Sequence, residues 1–141
     1  METLINLEKI GNGEDGYLSL IENNHYIDFS IKRVFYTYGV PVGTIRGMHA
    51  HKKCKRIIWC PYGKIEIILD NGFKRKVYVL DSPEKALIIP EGIWITMVWK
   101  KEASVLCAAV SEYYDEEDYI RDYNKYLQHI KEGYWKNENQ L

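Results

Sequence analysis

Two histidines separated by one residue, His49 and His51, sit in the run Arg46-Gly47-Met48-His49-Ala50-His51-Lys52-Lys53. In an extended chain alternate side chains share a face, so the two imidazoles point into one pocket. A histidine titrates near 6.5 and is largely neutral at pH 7, so a pair on one face suits acid–base proton transfer. A lone histidine there would more often only satisfy a core hydrogen bond. Arg46 stands beside the pair, and its guanidinium matches phosphate geometry or stabilises developing negative charge, with an inter-strand ion pair as the plain alternative. Lys32 and Arg33 occupy adjacent, opposite-facing positions, so at most one faces such a pocket, and Arg33 is the candidate. Tyr36 and Trp94 are candidate aromatic walls, with simple lining of the fold as the alternative.

These groups need a scaffold that holds them extended. The run Ser30–Tyr38 is rich in aromatic and β-branched residues and is punctuated by Gly39 and Pro41. Arg56–Cys60 stops at Pro61-Tyr62-Gly63, Lys64–Asp70 stops at Asn71-Gly72, and Phe73–Leu80 follows. Asn-Gly between two such runs predicts a hairpin with a two-residue type I′ turn, because both residues tolerate positive φ. Ala86–Ile89, the turn Pro90-Glu91-Gly92, Ile93–Trp99 and Ala103–Val110 continue the series. Strands recurring at roughly 8–12 residues with turn residues between them predict an all-β sandwich or barrel. Near the end, Tyr119, Tyr123, Tyr126, Leu127 and Ile130 fall at helical spacing. They predict one amphipathic α-helix over residues 115–132, capped by Asp115 and terminated by Gly133, with its tyrosines packed on the barrel.

The length of 141 residues fits one domain, with a barrel over residues 1–111 followed by the helix. The balance of 19 basic and 20 acidic residues leaves a net charge of −1, which gives no cationic excess for a nucleic-acid backbone. Cys54, Cys60 and Cys107 make an odd count with no C-x-x-C pair, as in a reduced cytoplasmic protein. The N-terminus has no apolar h-region, and the longest apolar stretch, Val105–Val110, cannot span a bilayer. No nucleic acid and no membrane are therefore expected as partners, and the cytoplasm is the expected compartment.

The layout of His49-x-His51, Arg56 and Gly63 resembles the first motif of the cupin superfamily, jelly-roll barrels (double-stranded β-helices) with a site at the open end. Pro90-Glu91-Gly92-Ile93-Trp94-Ile95 resembles the second motif, P-x-G-x-x-H, without its histidine. In metal-binding cupins an acid and a histidine stand where this chain has Arg56 and Ile95. A guanidinium and an alkyl chain cannot ligate a cation, so no catalytic metal is expected.

The sequence also resembles one metal-free cupin subfamily, the dTDP-sugar 3,4-ketoisomerases with WxcM-like domains. The matching stretches include Phe29-Ser30-Ile31-Lys32-Arg33-Val34, the Arg46–Lys53 run, Ile68-Leu69-Asp70, Leu80-Asp81-Ser82-Pro83 and the segment Ser111–Arg121. The resemblance implies a cupin barrel with one C-terminal helix that converts dTDP-4-keto-6-deoxy-D-glucose into a 3-keto-6-deoxyhexose. The pathway it implies is deoxyamino-sugar biosynthesis for a lipopolysaccharide or S-layer glycan. By the same resemblance His51 is the C3 base and His49 the proton shuttle, with no cofactor. Arg46, Arg33, Tyr36, Trp94 and Tyr17 become candidate substrate contacts. Tyr17 and Ile95 lie where relatives vary, and such positions bear on whether the product is the galacto or the gluco sugar. A homodimer with N-terminal strands exchanged is also implied. Two alternatives stay open: a non-catalytic cupin that binds a sugar nucleotide, and a metal-free 3,5-epimerase on the same ketosugar.

Overall fold

The computed structural model describes residues 3–135. Three short strands come first, β1 (Leu4–Asn6), β2 (Ile10–Asn12) and β3 (Gly16–Leu18), followed by β4 (Arg33–Thr37), β5 (Ile45–His51) and β6 (Arg56–Tyr62). Next are β7 (Ile65–Asp70), β8 (Arg75–Leu80), β9 (Lys85–Ile89), β10 (Trp94–Trp99) and β11 (Val105–Val110). A 3-10 turn at Glu116–Asp118, strand β12 (Tyr119–Ile120) and helix α1 (Tyr123–Lys131) complete the chain. All the strand pairs are antiparallel. One sheet has the order β1-β9-β6-β11-β4, the other β12-β5-β10-β7-β8, and β2 pairs β3 as a separate hairpin. This is the jelly-roll barrel with a C-terminal helix expected from the sequence.

Period-two alternation makes the barrel. Ile65, Ile67 and Leu69 of β7, Ile95, Met97 and Trp99 of β10 and Leu106, Ala108 and Val110 of β11 turn inward and share one buried core. Their neighbours on β6, β9 and β11, Ile57, Ala86, Ile88 and Ala109, face outward and are covered by Leu7, Ile27 and Phe29. A third cluster of Ala50, Trp94, Ile120 and Tyr126 lies beneath α1.

Two sequence expectations need correction. The β7–β8 register closes at Asp70 opposite Arg75, so the connection has four residues, not two. Gly72 has φ 89 but Asn71 is not in the left-handed region, which excludes a type I′ turn. Instead the Asn71 side chain accepts from the backbone N–H groups of Phe73 (2.9 Å) and Lys74 (2.9 Å). The helix begins at Tyr123 and not near residue 115, with Asp122 as its cap, accepting from Lys125 N. Asp115 caps only the 3-10 turn. The intervening backbone is drawn into the sheet, where Tyr119 pairs with His51 and Ile120 with Ala50. The Lys52 N–H also donates to the Asp118 carbonyl at 2.8 Å. These ladder bonds compete with helix and win locally. Among the described residues no helix is long and apolar enough to cross a membrane.

One irregularity governs the site. Along β10, Ile95 pairs with His49 but Thr96 pairs with Gly47, so Met48 is an extra residue bulged out of β5. Gly47 (φ 88) and Met48 (φ 54) take positive φ, and Met48 is half exposed. The bulge reverses the alternation, which brings Arg46 to the same face as His49 and His51. A Cβ at Gly47 would lie 3.0 Å from the Ile95 carbonyl oxygen. Gly47→Ala is expected to cost about 1–3 kcal/mol through strain at this position. Urea unfolding that showed no loss would contradict the bulge as the device that orients β5.

Candidate active site

Between the sheets, at one end of the barrel, lies a cleft of about 280 Å³. Its floor and walls come from the inward positions of five strands: Phe35 and Thr37 of β4, His49 and His51 of β5, Arg56 and Ile58 of β6, Ile95 and Met97 of β10, and Leu106 and Ala108 of β11. Arg46, Gly47, Tyr119 and Arg121 complete its lining.

His51 is held most firmly. It is 3% exposed, and its Nδ1 lies 2.9 Å from Oδ2 of buried Asp118. A carboxylate only accepts, so Nδ1 carries the proton and Nε2 keeps the lone pair for the cleft. Asp118 is fixed in turn by the Lys53 N–H on Oδ1 (2.8 Å) and the Cys54 N–H on Oδ2 (3.3 Å). His49 stands edge-on to His51, with ring centroids 5.0 Å apart, and Tyr119 tilts against both rings. Burial, reinforced by the Arg56 guanidinium, lowers His49 to about 4 and pushes His51 down as well. Both imidazoles are neutral at pH 7, the state a general base requires.

Cations surround this pair. Arg121 lies over the Tyr119 ring at 4.3 Å and makes two hydrogen bonds to Glu116, at 2.8 and 3.0 Å. That pairing holds the Glu116 carboxyl down at about 2. The Arg33 guanidinium rests over Phe35 (5.2 Å) and Tyr114 (5.6 Å), and its buried Nε has no hydrogen-bond partner among the described residues. Lys32 points the other way, over Tyr113. The concentration of guanidinium groups around neutral imidazoles suits an anionic ligand.

The structure thus brings His49, His51 and Arg46 together, with Arg33 on the same inward face as Phe35 and Thr37. It separates three other candidates from this cleft. Tyr36 has the opposite parity to Phe35, is 64% exposed and stacks on Tyr38. Trp94 has the opposite parity to Ile95 and packs under α1 against Tyr123 and Tyr126. Tyr17 is exposed on the β2–β3 hairpin, with Lys9 over its ring. Tyr119, expected to pack on a helix, instead lines the cleft. Asp118, Tyr119 and Arg121 were not selected from the sequence as site residues. Their only signal was membership of the matching stretch Ser111–Arg121, because nothing local ties Asp118 to a histidine 67 residues earlier.

The donor set does not fit a cupin metal centre. Arg56 and Ile95 occupy two of the four ligand positions and line the cleft. His51, Cys54 and Asp118 do present donor atoms within 4.8 Å of one another. However, the carboxylate is already shared among the imidazole and two backbone N–H groups, and a buried guanidinium acts on the same imidazole.

Comparison with known proteins places this geometry. Residues 1–131 match the protein-family model described as FdtA: WxcM-like, C-terminal. The chain is 39% identical over 127 residues to the TDP-4-oxo-6-deoxy-alpha-D-glucose-3,4-oxoisomerase of Aneurinibacillus thermoaerophilus, covering 90% of this chain and 91% of that protein. Its fold is similar to that of an asparagine-for-histidine variant of the 3,4-ketoisomerase QdtA from Thermoanaerobacterium thermosaccharolyticum in complex with TDP-4-keto-6-deoxyglucose. There the TM-score is 0.87 at 36% identity, over 92% of this chain and 93% of that one. It is also similar to a 3,4-ketoisomerase from Helicobacter canadensis, with a TM-score of 0.86 at 32% identity over 91% and 96% of the two chains. A dTDP-4-dehydrorhamnose 3,5-epimerase from Bacillus anthracis shares the fold, at 20% identity and a TM-score of 0.72.

Two outcomes follow from the geometry. Asp118→Asn keeps an acceptor for the Lys53 N–H and turns an amide donor toward His51, so the imidazole proton moves from Nδ1 to Nε2. Side-chain 15N spectra of histidine-labelled protein report this directly, and an unchanged tautomer would refute the account of the pair. His49, depressed from 6.5 to about 4, binds protons in the unfolded chain before it does so in the native one. Its effect on stability is absent above pH 6.5 and grows unfavourable as pH falls toward 4. Acid unfolding of His49→Gln should therefore show a shallower loss of stability over that window.

Proposed function

Since this chain belongs to the FdtA family of WxcM-like, C-terminal domains, we propose that it is a sugar 3,4-ketoisomerase converting dTDP-4-keto-6-deoxy-D-glucose to a dTDP-3-keto-6-deoxyhexose. The observation that carries this reading is the buried Asp118–His51 pair opening on a cleft ringed by guanidinium groups. The relatives named as 3,4-ketoisomerases, one of them holding TDP-4-keto-6-deoxyglucose, support it.

In this reading His51 Nε2 takes the C3 proton, and Asp118 stabilises the imidazolium that forms. The electron pair left at C3 makes the C3–C4 double bond of an enediolate. A proton then returns to C4, while the C3 hydroxyl proton passes to the C4 oxygen, through His49 or by exchange with solvent, leaving the ketone at C3 and a hydroxyl at C4. Atoms and electrons balance without any cofactor. Arg46, at the mouth, and Arg33 are assigned to the pyrophosphate, whose two phosphates match two guanidinium forks.

We assign the reaction to the cytoplasm, consistent with three free cysteines, and to deoxysugar supply for a lipopolysaccharide or S-layer glycan. We also propose a homodimer. β1 already pairs with β9 of its own chain. The edge strands of that sheet are β1 and β4, and the outer face of β4 exposes Val34 and Tyr36. Dimerisation through the N-terminal segment is the arrangement that would give Tyr17 a site to act on, in the partner copy. A monomeric mass by light scattering at micromolar concentration would remove this assignment.

The primary test is proton NMR of dTDP-4-keto-6-deoxyglucose with the protein in D₂O. The expected result is movement of the ketone to C3 with deuterium at C4 and none at C5, and a kcat about 10²- to 10⁴-fold lower for His51→Asn. Deuterium at C3 and C5 with the ketone unmoved would indicate epimerisation. No exchange at all would leave a binding protein.

A further inference from the structure

Arg56 is a cation in an unusual place. It starts β6 on the inward face, in line with core residue Ile58, is 4% exposed, and lines the floor of the cleft. One contact anchors it, from Nη2 to the Ile93 carbonyl at 3.2 Å, and its buried Nε has no partner among the described residues. No described carboxylate reaches ion-pair distance of it, and Asp118, whose charge does act on it, is engaged by His51 and the backbone. Burial lowers Arg56 only to about 10, so it stays charged at neutral pH. Its charge opposes protonation of both imidazoles.

A buried guanidinium without a counter-ion is expensive to keep unless a ligand supplies the missing anion. We propose that Arg56 is a catalytic residue whose fixed guanidinium stabilises the enediolate oxygens of the substrate. This deepens the ketoisomerase reading and rests on it. Arg56 stands at the sequence position where a metal-binding cupin places an acidic ligand, so a permanent side-chain cation occupies the neighbourhood that an ion would otherwise serve. Negative charge moves onto the two sugar oxygens only after His51 removes the C3 proton. A cation already in place, and needing no reorganisation, therefore favours the intermediate over the neutral ketone. Ile95 also lines the cleft and offers no donor, and Arg56 is the most buried charged group among the lining residues.

The test compares the parent with Arg56→Gln and Arg56→Lys on dTDP-4-keto-6-deoxyglucose. Glutamine keeps a donor for the Ile93 carbonyl but loses the charge, and lysine keeps the charge but loses the fork. The expected result is a kcat reduced about 10²- to 10³-fold in the glutamine variant with KM within about threefold, and a smaller loss in the lysine variant. A glutamine variant with kcat near that of the parent overturns the role of Arg56 while leaving the ketoisomerase reading intact. A second measurement needs neither turnover nor a variant. Glycolohydroxamate, a planar enediolate mimic, added with TDP to arginine-15N-labelled parent protein should move one buried Nε–H resonance downfield. No such shift overturns the proposal. If the parent fails to isomerise the ketosugar yet shows the shift, the reaction assignment falls and the anion site at Arg56 stands.

Discussion

The hydrogen bond between Asp118 and His51 ties together parts of the molecule that have little else in common. A buried carboxylate is tolerated only when its lone pairs are satisfied, and here the satisfying donors are one imidazole and the N–H groups of Lys53 and Cys54. Those two N–H groups belong to the turn leaving β5, so the carboxylate reports the conformation of the same strand whose histidine it orients. The arrangement also explains why residues 115–120 are not α-helix. Asp118 closes a 3-10 turn, its carbonyl accepts from the Lys52 N–H, and Tyr119 and Ile120 after it pair with β5, so α-helix begins only after Asp122 caps it.

Strand parity decides which side chains meet. On β10, and on β6 from Arg56 to Cys60, the alternation is unbroken, so Arg56 and Ile95 face inward as surely as Ile58 and Met97 do, and Trp94 must face α1. On β5 a single inserted residue, Met48, changes the parity and returns Arg46 to the histidine face. The cost is a non-glycine residue at φ 54, a conformation held by the pairing on both sides of the bulge. The result is a cleft whose histidines come from one sheet and whose buried cation, Arg56, comes from the other.

Most of the barrel was legible in the sequence because burial on one face writes period-two alternation and turns write glycine, proline and asparagine. Of the eight strands from β4 to β11, all but β5 fall within or beside the runs so marked, with ends displaced by a few residues. The two histidines were legible as a pair for the same reason. What failed was tertiary. Helical spacing of Tyr119 with Tyr123 was accidental, because ladder bonds to His51 and Ala50 outweighed local preference. Tyr36 and Trp94 were chosen for chemistry at positions whose parity carries them away from the cleft. Asp118 could not be paired with His51 by any local pattern, and the type I′ turn was displaced by the capping carbonyl of Asn71. In the sequence Arg56 marks only the loss of a metal ligand, and its position on the inner face shows what the residue brings instead.

The long sequence separation of the Asp118–His51 contact also bears on how the protein is made. During synthesis from the N-terminus, every barrel strand through β11 has emerged before the carboxylate that sets the tautomer of His51. A chain halted short of residue 118 has the elements of a barrel and both histidines but no partner for Nδ1. Competence for proton transfer is thus acquired late, when the tail lays its last strand beside β5. The ribosome releases the scaffold first and the chemistry last.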